Sequence, residues 1–137
     1  AIIDVHSRLV VGWSLSNTMS ADWCCSVISD AIDTYGKPEI INSDQGSQFT
    51  SEDYVNLLKS NDIKISMDSR GRALDDIFIE RLWRSVKQEY VYLNPCENCH
   101  ELWKGLSAYF DFYNHRRLHQ SLGYQCPASV YGDKNAA

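Results

Sequence analysis

The sequence predicts an α/β fold, in which helices pack against a mixed sheet. Apolar, β-branched runs of strand length alternate with longer segments whose apolar residues repeat at helical spacing. The resulting order, β-β-α-β-α-β-α-α, is typical of a sheet covered by helices. The 137 residues are 44% hydrophobic and 23% charged, so we expect one domain with a single buried core.

The first half of the chain is predicted to begin with a hairpin. Residues 1–6 and 9–16 are apolar runs separated by Ser7-Arg8, the pattern of two strands joined by a tight turn. The elements that follow are a helix over residues 20–35 that ends at Gly36-Lys37-Pro38, a strand over 39–43, a helix from the capping-box pattern Thr50-Ser51-Glu52-Asp53 to about Ser60, and a strand over Lys64–Met67.

The second half is predicted to hold a polar loop over residues 68–74 and two long helices, over residues 75 to about 93 and 97–117. Pro95 separates the helices, because the residue before a proline disfavours the helical conformation. Each helix has an apolar face at a spacing of about 100° per residue. We expect the core to contain Ile79, Leu82, Trp83, Val86 and Tyr90 from the first helix, and Leu102, Trp103, Leu106, Tyr109, Phe110, Phe112 and Tyr113 from the second.

The charges are unevenly distributed along the chain. The net charge of −5 argues against a surface that is basic throughout. Residues 61–137 nevertheless contain ten of the thirteen basic side chains, so a site for a polyanion is expected in this half. The longest apolar stretch is too short for a membrane span, and five irregularly spaced cysteines favour a reducing, cytoplasmic setting.

Asp44 is the first candidate for chemistry. It follows the predicted strand over residues 39–43 and precedes a helix, and ligands of α/β folds commonly bind at the carboxyl ends of strands. Aspartate is also a common turn former. Both interpretations of Asp44 remain open on this pattern alone.

Glu80 is the second candidate, on the first long helix. It shares a polar stripe with Asp76, Arg84 and Lys87, and a solvated ion pair with Arg84 would also explain this spacing. Carboxylates from two different elements are the ligands that Mg²⁺ needs for phosphoryl transfer. Basic side chains at residues 70–87 provide the local positive charge that phosphate contacts require.

Several segments resemble motifs of one family, the insertion-sequence transposases of the DDE class, which have a retroviral-integrase-like core. Residues 42–51, NSDQGSQFTS, resemble the motif of the second catalytic Asp, and thirty-five residues separate Asp44 from Glu80, as in this family. Residues 71–89 resemble the Glu motif, with Lys87 at the position of a DNA-contacting lysine. Residues 4–14 resemble two core strands, and residues 113–124, YNHRRLHQSLGY, resemble the carboxyl-terminal signature.

The resemblance implies a ribonuclease H-like mixed sheet flanked by helices, with the first core strand missing. It implies DNA transposition and integration through metal-dependent strand cleavage and strand transfer, with Mg²⁺ or Mn²⁺ as cofactor. DNA and further copies of the chain are the implied partners, and a bacterial, nucleoid-associated location is implied. The implied catalytic and metal-binding residues are Asp44 and Glu80, and the implied DNA-binding residues are Lys87, Arg84, Arg72 and Gln45.

Two departures from the family pattern affect these expectations. The first catalytic Asp would precede Ala1, because Asp4 matches a non-catalytic position. We therefore expect a partial core over residues 1–131, a tail over residues 132–137, and no activity from this chain alone. Asp76 stands where the family usually has Asn, and like-charge repulsion would raise the pKa of a carboxylate there or at Glu80. The alternative functions are a catalytically dead remnant that binds DNA or oligomerises, and a structure-specific nuclease.

Two further patterns have more than one interpretation. Cys96-Glu97-Asn98-Cys99-His100 has the spacing of a haem attachment motif, and with Cys126 it would supply zinc ligands; a simple helix start with two thiols near the surface is the favoured interpretation. His115, Arg116, Arg117 and His119 form a basic cluster at the end of the last predicted helix. Such a cluster is suited to DNA contacts or to complementing the helix dipole.

Overall fold

The computed structural model describes residues 1–18, 20–67 and 77–136, with side chains up to residue 132. The chain divides into two compact units. The first unit contains Ala1–Ile2 and Val11–Ile77, and the second contains Ile3–Val10 and Phe78–Ala137. The predicted loop over residues 68–74, the start of the helix after it, and Arg70, Arg72 and Asp76 lie outside the described residues.

A hairpin opens the chain, as predicted. β1 (Ile2–Ile3) pairs with β2 (Val10–Gly12), and both strands are shorter than predicted. The Asp4 carboxylate explains the early turn, because Oδ2 accepts hydrogen bonds from the backbone nitrogen and hydroxyl of Ser7 at 3.0 and 2.6 Å. Arg8 completes the turn with a φ of 65°, in the left-handed region that side chains other than glycine rarely occupy.

The first unit contains a parallel strand pair and the helices that follow the sequence prediction. α1 (Ala21–Tyr35) is capped by the Ser20 side chain, which accepts a hydrogen bond from the Trp23 nitrogen, and it ends at Gly36 with a φ of 88°. β3 (Ile40–Ser43) and β4 (Lys64–Met67) pair in parallel, with Ile40 opposite Lys64. The buried core of this unit consists of Ile28, Tyr54, Leu58 and Ile63.

The connection between β3 and the next helix differs in detail from the prediction. The expected turn contains a short helix, α2 (Ser47–Thr50), and α3 (Glu52–Ser60) follows it. Ser51, rather than Thr50, caps α3 by accepting a hydrogen bond from the Tyr54 nitrogen at 3.2 Å. Thr50 instead donates its hydroxyl to the Ser47 carbonyl, so the capping-box prediction was wrong by one residue.

The second unit contains most of the first of the two predicted long helices. α4 (Ile77–Val86) continues as a π-helical turn over Lys87–Val91. In this turn the Tyr92 nitrogen donates a hydrogen bond to the Lys87 carbonyl at 2.9 Å. A π-helical turn is rare and is often found at functional sites.

The second long helix, α5 (Cys99–His115), is capped at Asn98, whose side chain accepts a hydrogen bond from the Glu101 nitrogen. A 3₁₀ turn over Gln120–Leu122 and α6 (Pro127–Ala136) complete the unit. α6 was not predicted from the sequence. The expected boundary between core and tail, after residue 131, falls within this helix.

In the second unit, residues at the centre of each predicted apolar face are buried, as expected. Residues at the edges of these faces are partly exposed. Leu82, Val86, Leu106, Tyr109, Phe110 and Tyr113 are buried. Trp83, Trp103 and Phe112, predicted in the core, are 39%, 50% and 36% exposed. Helical spacing locates an apolar face but not its width. Trp83 lies at the edge of the face, beside the polar stripe of Glu80, and its ring reaches solvent there.

A pair of hydrogen bonds joins the two sequence segments of the second unit. The Val10 nitrogen donates to Asn114 Oδ1 at 2.9 Å, and Asn114 Nδ2 donates to the Val10 carbonyl at 3.0 Å. The Asn114 amide thus pairs with a strand residue as a neighbouring strand would. Within the described ranges, no helix is long and apolar enough to cross a membrane.

Candidate functional site

The loop after β3 carries Asp44 in the first unit. Asp44 is exposed, and its Oδ1 accepts a hydrogen bond from the Gly46 nitrogen at 2.8 Å. The turn-forming role considered for Asp44 is therefore present. A carboxylate in an Asx turn can still bind a ligand, because each of its two oxygens can accept more than one bond. Gln45 is the next residue in the loop and is also exposed.

A cleft on the exposed side of α4 contains three of the predicted site residues. Glu80, Arg84 and Lys87 line a cleft of about 390 Å³. In the described part of the chain, Glu80 forms no ion pair with Arg84, so the solvated pair considered for this spacing is not formed. The cleft therefore places beside two cations a carboxylate that forms no salt bridge with the described residues.

Three cleft residues were not identified as site residues from the sequence. Trp83, Gln88 and Tyr92 line the same cleft as Glu80. The available signal was their spacing, because Trp83 and Gln88 flank the polar stripe of Glu80 on the helical wheel. Trp83 was missed as a site residue because it was assigned to the core. Tyr92 was missed because helical periodicity does not predict the π-helical turn that precedes it.

The predicted site residues fall into three groups. Asp44 and Gln45 belong to the first unit, whereas Glu80, Arg84 and Lys87 share one cleft in the second. Arg72 lies outside the described residues. The structure thus brings together the predicted residues of α4.

Each of the two predicted metal ligands carries the donor chemistry that a hard divalent cation prefers. Asp44 and Glu80 are both exposed, and carboxylate oxygens are the ligands that Mg²⁺ prefers, together with water and substrate phosphates. Across residues 1–18, 20–67 and 77–136, no three or more His, Cys, Asp or Glu side chains form a group placed to hold a metal ion. A Mg²⁺ ion bound by one or two carboxylates needs no such group.

The cysteine motif has the structure of a helix start. Cys96 and Cys99 are exposed, free thiols on either side of the α5 cap at Asn98. The Cys96 thiol donates to the Asn94 carbonyl at 3.2 Å. Since the described residues contain no metal-holding cluster, the geometry does not support the zinc site considered for Cys96, Cys99, His100 and Cys126.

Two members of the basic cluster at the end of α5, Arg117 and His119, make contacts within the protein. Arg117 forms a bidentate ion pair with Glu89, with Nη2 donating to Oε2 at 2.7 Å and Nε to Oε1 at 2.8 Å. These hydrogen bonds hold the pKa of Glu89 below its usual value. His119 is buried with its ring edge-on to Tyr113. Burial, with a smaller contribution from Arg117, lowers the pKa of His119 to about 4, so this ring is neutral at pH 7.

Solved structures of similar shape identify the class of fold. The HTLV-2 integrase catalytic core domain in complex with magnesium (dimeric form) superposes with a TM-score of 0.73 at 20% identity, over 94% of this chain and 80% of that one. The catalytic core domain of BIV integrase gives 0.73 at 21% identity, over 94% and 84%. The fold is therefore α/β and ribonuclease H-like, as predicted.

The sequence comparisons show the family within this class. A family described as "Integrase core domain" matches residues 1–73, and a second family of the same description matches residues 61–127. The chain belongs to the integrase core domain family. The predicted resemblance to transposases with an integrase-like core is thus confirmed.

Two bacterial relatives illustrate the similarity. The transposase for insertion sequence element IS904 of Lactococcus lactis subsp. lactis (strain IL1403) is 31% identical over 135 residues, covering 91% of this chain and 51% of the relative. Transposase InsF for insertion sequence IS3A of Escherichia coli (strain K12) is 33% identical over 93 residues, covering 66% and 32%. The chain therefore spans about half the length of these relatives or less.

Proposed function

We propose that the protein acts in DNA transposition and integration, through metal-dependent cleavage and transfer of DNA strands. The cleft on α4 carries this proposal, because Glu80 has no ion-pair partner in the described residues and lies beside Arg84 and Lys87. A carboxylate that only balanced its neighbours' charge would be expected to pair with them. Transposases are the relatives of this chain, which favours DNA as the substrate.

The proposed roles follow from the chemistry of each side chain. Asp44 and Glu80 are each proposed as ligands of Mg²⁺ or Mn²⁺; the bound metal would activate an attacking hydroxyl and stabilise the departing oxygen. The nucleophile is water for cleavage and a DNA 3′-hydroxyl for joining. Lys87 and Arg84 hold DNA phosphates through charge-assisted hydrogen bonds. Gln45 and Arg72 are proposed as further DNA contacts, from the loop after β3 and from outside the described residues.

Assembly is part of the same proposal. The HTLV-2 integrase core was solved in dimeric and trimeric forms, and we propose that this protein also forms homo-oligomers. Since the transposase relatives are about twice as long as this chain or longer, the complete reaction is proposed for the whole protein.

Calorimetric titration with Mn²⁺ tests the metal site in this chain directly. We expect weak binding by the wild type and loss of measurable binding in Asp44→Asn and Glu80→Gln, because each substitution replaces a charged ligand with a neutral amide. Asp111→Asn is the matched control. Asp111 is an exposed carboxylate on α5 whose Oδ1 lies 3.9 Å from Nε2 of His115. This control should bind Mn²⁺ as the wild type does.

The outcomes separate the proposed function from its alternatives. Wild-type binding that survives in Glu80→Gln would contradict the metal site. A wild type that binds no metal would favour a catalytically dead module that binds DNA or oligomerises. A strand-joining assay on the whole protein separates a transposase from a nuclease, because a nuclease cuts DNA but does not join ends.

A further inference from the structure

A second cavity lies on the neighbouring face of α4, and arginines line it. This cavity of about 210 Å³ is in the second unit, and its lining includes Arg8, Arg81, Arg84 and Arg117. These residues come from the hairpin turn, from α4, and from the segment after α5. The hydroxyl residues Ser85 and Ser121 also line it. No acidic side chain is among its lining residues in the described part of the chain.

Among the described residues, three of the four arginines are not neutralised by an ion pair, although the charge of the Asp4 carboxylate acts on Arg8. Arg117 is neutralised by the bidentate pair with Glu89. Among the side chains that the structure describes, no carboxylate forms an ion pair with Arg8, Arg81 or Arg84. Partial burial lowers the pKa of Arg8, and the nearby charge of Arg81 contributes to this lowering. Like charges gathered in this way repel one another, and a bound anion would relieve the repulsion.

Arg8 is held in place by an unusual backbone. Its φ of 65° lies in the left-handed region, and the hydrogen bonds between Asp4 and Ser7 maintain the turn. The Arg8 guanidinium lies over the Phe78 ring, with its central carbon 4.1 Å from the ring centroid. A guanidinium stacked on a ring still presents N–H donors at its edge, in the fork that matches a phosphate. The cavity is thus preorganised for an anion with several oxygens.

Arg84 lines both this cavity and the Glu80 cleft. The two cavities therefore share a lining residue on α4, as a single polyanion that contacts both would require. A DNA strand bound at Lys87 and Arg84 would then contact Arg8 and Arg81 in the neighbouring cavity. The same cations would also suit a free phosphate, so DNA and inorganic phosphate need separate experimental arms.

We propose that the cavity lined by Arg8, Arg81 and Arg84 binds a backbone phosphate of DNA beside the Glu80 cleft. The identity of the polyanion rests on the proposed function, whereas the anion site rests on the arginines alone. The site holds the strand and takes no part in bond breaking. Arg8 and Arg81 are accordingly positioning residues.

Fluorescence anisotropy with a labelled DNA duplex, in EDTA and over a range of salt concentrations, tests the proposal. We expect Arg81→Gln to bind DNA roughly tenfold more weakly at 0.1 M salt and to reduce the slope of log affinity against log salt by about 1, as for loss of one phosphate contact. Arg8→Gly should behave alike, because glycine accepts a positive φ and removes only the side chain. Lys104→Gln, which removes a charge from an exposed position of α5, should retain the wild-type slope.

Two results would overturn the proposal. One is a wild-type salt slope in both Arg81→Gln and Arg8→Gly. The other is thermal stabilisation by inorganic phosphate at constant ionic strength that Arg81→Gln abolishes while DNA binding is unchanged, since the ligand would then be a free anion. The DNA-binding assay needs no metal. If the Mn²⁺ titration showed no binding while the salt slope changed as expected, the proposed function would be rejected and the anion site would be retained.

Discussion

The acidic loop after β3 and the segment over residues 113–124 resemble motifs of the same family, yet the structure uses their side chains differently. In the loop, Asp44 is exposed and its carboxylate accepts a local hydrogen bond from the Gly46 nitrogen. In the segment, Asn114 and His119 are only 9% and 8% exposed, and Arg117 is paired with Glu89. Asp44 presents its carboxylate to solvent, whereas Asn114, Arg117 and His119 are buried or paired.

This difference separates residues available for chemistry from residues needed for the fold. A motif shows that particular residue types recur together, but it does not show whether their polar atoms are already bonded within the chain. Asn114 has both its oxygen and its nitrogen bonded to Val10. We therefore expect substitutions of Asn114, Arg117 or His119 to affect stability, and substitution of Asp44 to leave stability nearly unchanged.

The largest expected effect is at Asn114. Asn114→Asp removes the donor to the Val10 carbonyl and introduces a charge at a buried position, so the free energy of unfolding should fall by about 3 kcal/mol. Asp44→Asn keeps an oxygen for the Gly46 nitrogen and should change it by less than about 0.5 kcal/mol. Urea unfolding of both variants at pH 7 measures the contrast. Equal, small effects would show that the two motifs do not differ in this way.

The next effect is the pH dependence that His119 confers. The pKa of this histidine is lowered to about 4 in the folded state, against about 6.5 when unfolded. Below pH 6.5 the unfolded chain therefore binds more protons, and stability is lost as the pH falls towards 4. The loss at pH 5 should be on the order of 2 kcal/mol. His119→Gln should flatten the profile of urea unfolding between pH 7 and 5, and an unchanged profile would count against this origin.

The smallest effect is expected at Glu89. Glu89→Gln weakens the bidentate pair with Arg117, and since both side chains are partly exposed, we expect a loss of about 1 kcal/mol at pH 7. The depressed pKa of Glu89 means that the stabilisation is present above its unfolded pKa and is lost as the pH falls through the folded one. The difference from wild type should therefore shrink in acid. Asp111→Asn, which removes only a long contact to His115, is the control and should be nearly neutral.

Local signals predicted much of the fold. The Ser20 cap and Gly36 set the ends of α1, and Lys64–Met67 is a strand as predicted. Features that depend on neighbours were missed, including α6, the π-helical turn and the exposure of Trp83. Periodicity reports which residues share a face, but the packing partner decides how much of that face is covered.

The candidate site divides in the same manner. The spacing of Asp44 and Glu80 and the polar stripe of α4 predicted Glu80, Arg84 and Lys87, which share a cleft in the structure. Arg8 and Arg81 carry no comparable signal, because Arg8 belongs to a hairpin turn far away in the sequence. Only the fold of the second unit brings them into one cavity.

The sequence by itself determined the α/β class, most helix and strand positions, the resemblance to transposases and the concentration of basic residues in the second half. These properties follow from local propensity and spacing, which act over a few residues along the chain. The tertiary structure alone decided that Asn114 bonds to Val10, 104 residues away, and that four arginines line one cavity. Such contacts arise because burial and hydrogen bonding are satisfied over the folded chain as a whole. The local sequence around one residue therefore does not predict which distant residue it will contact.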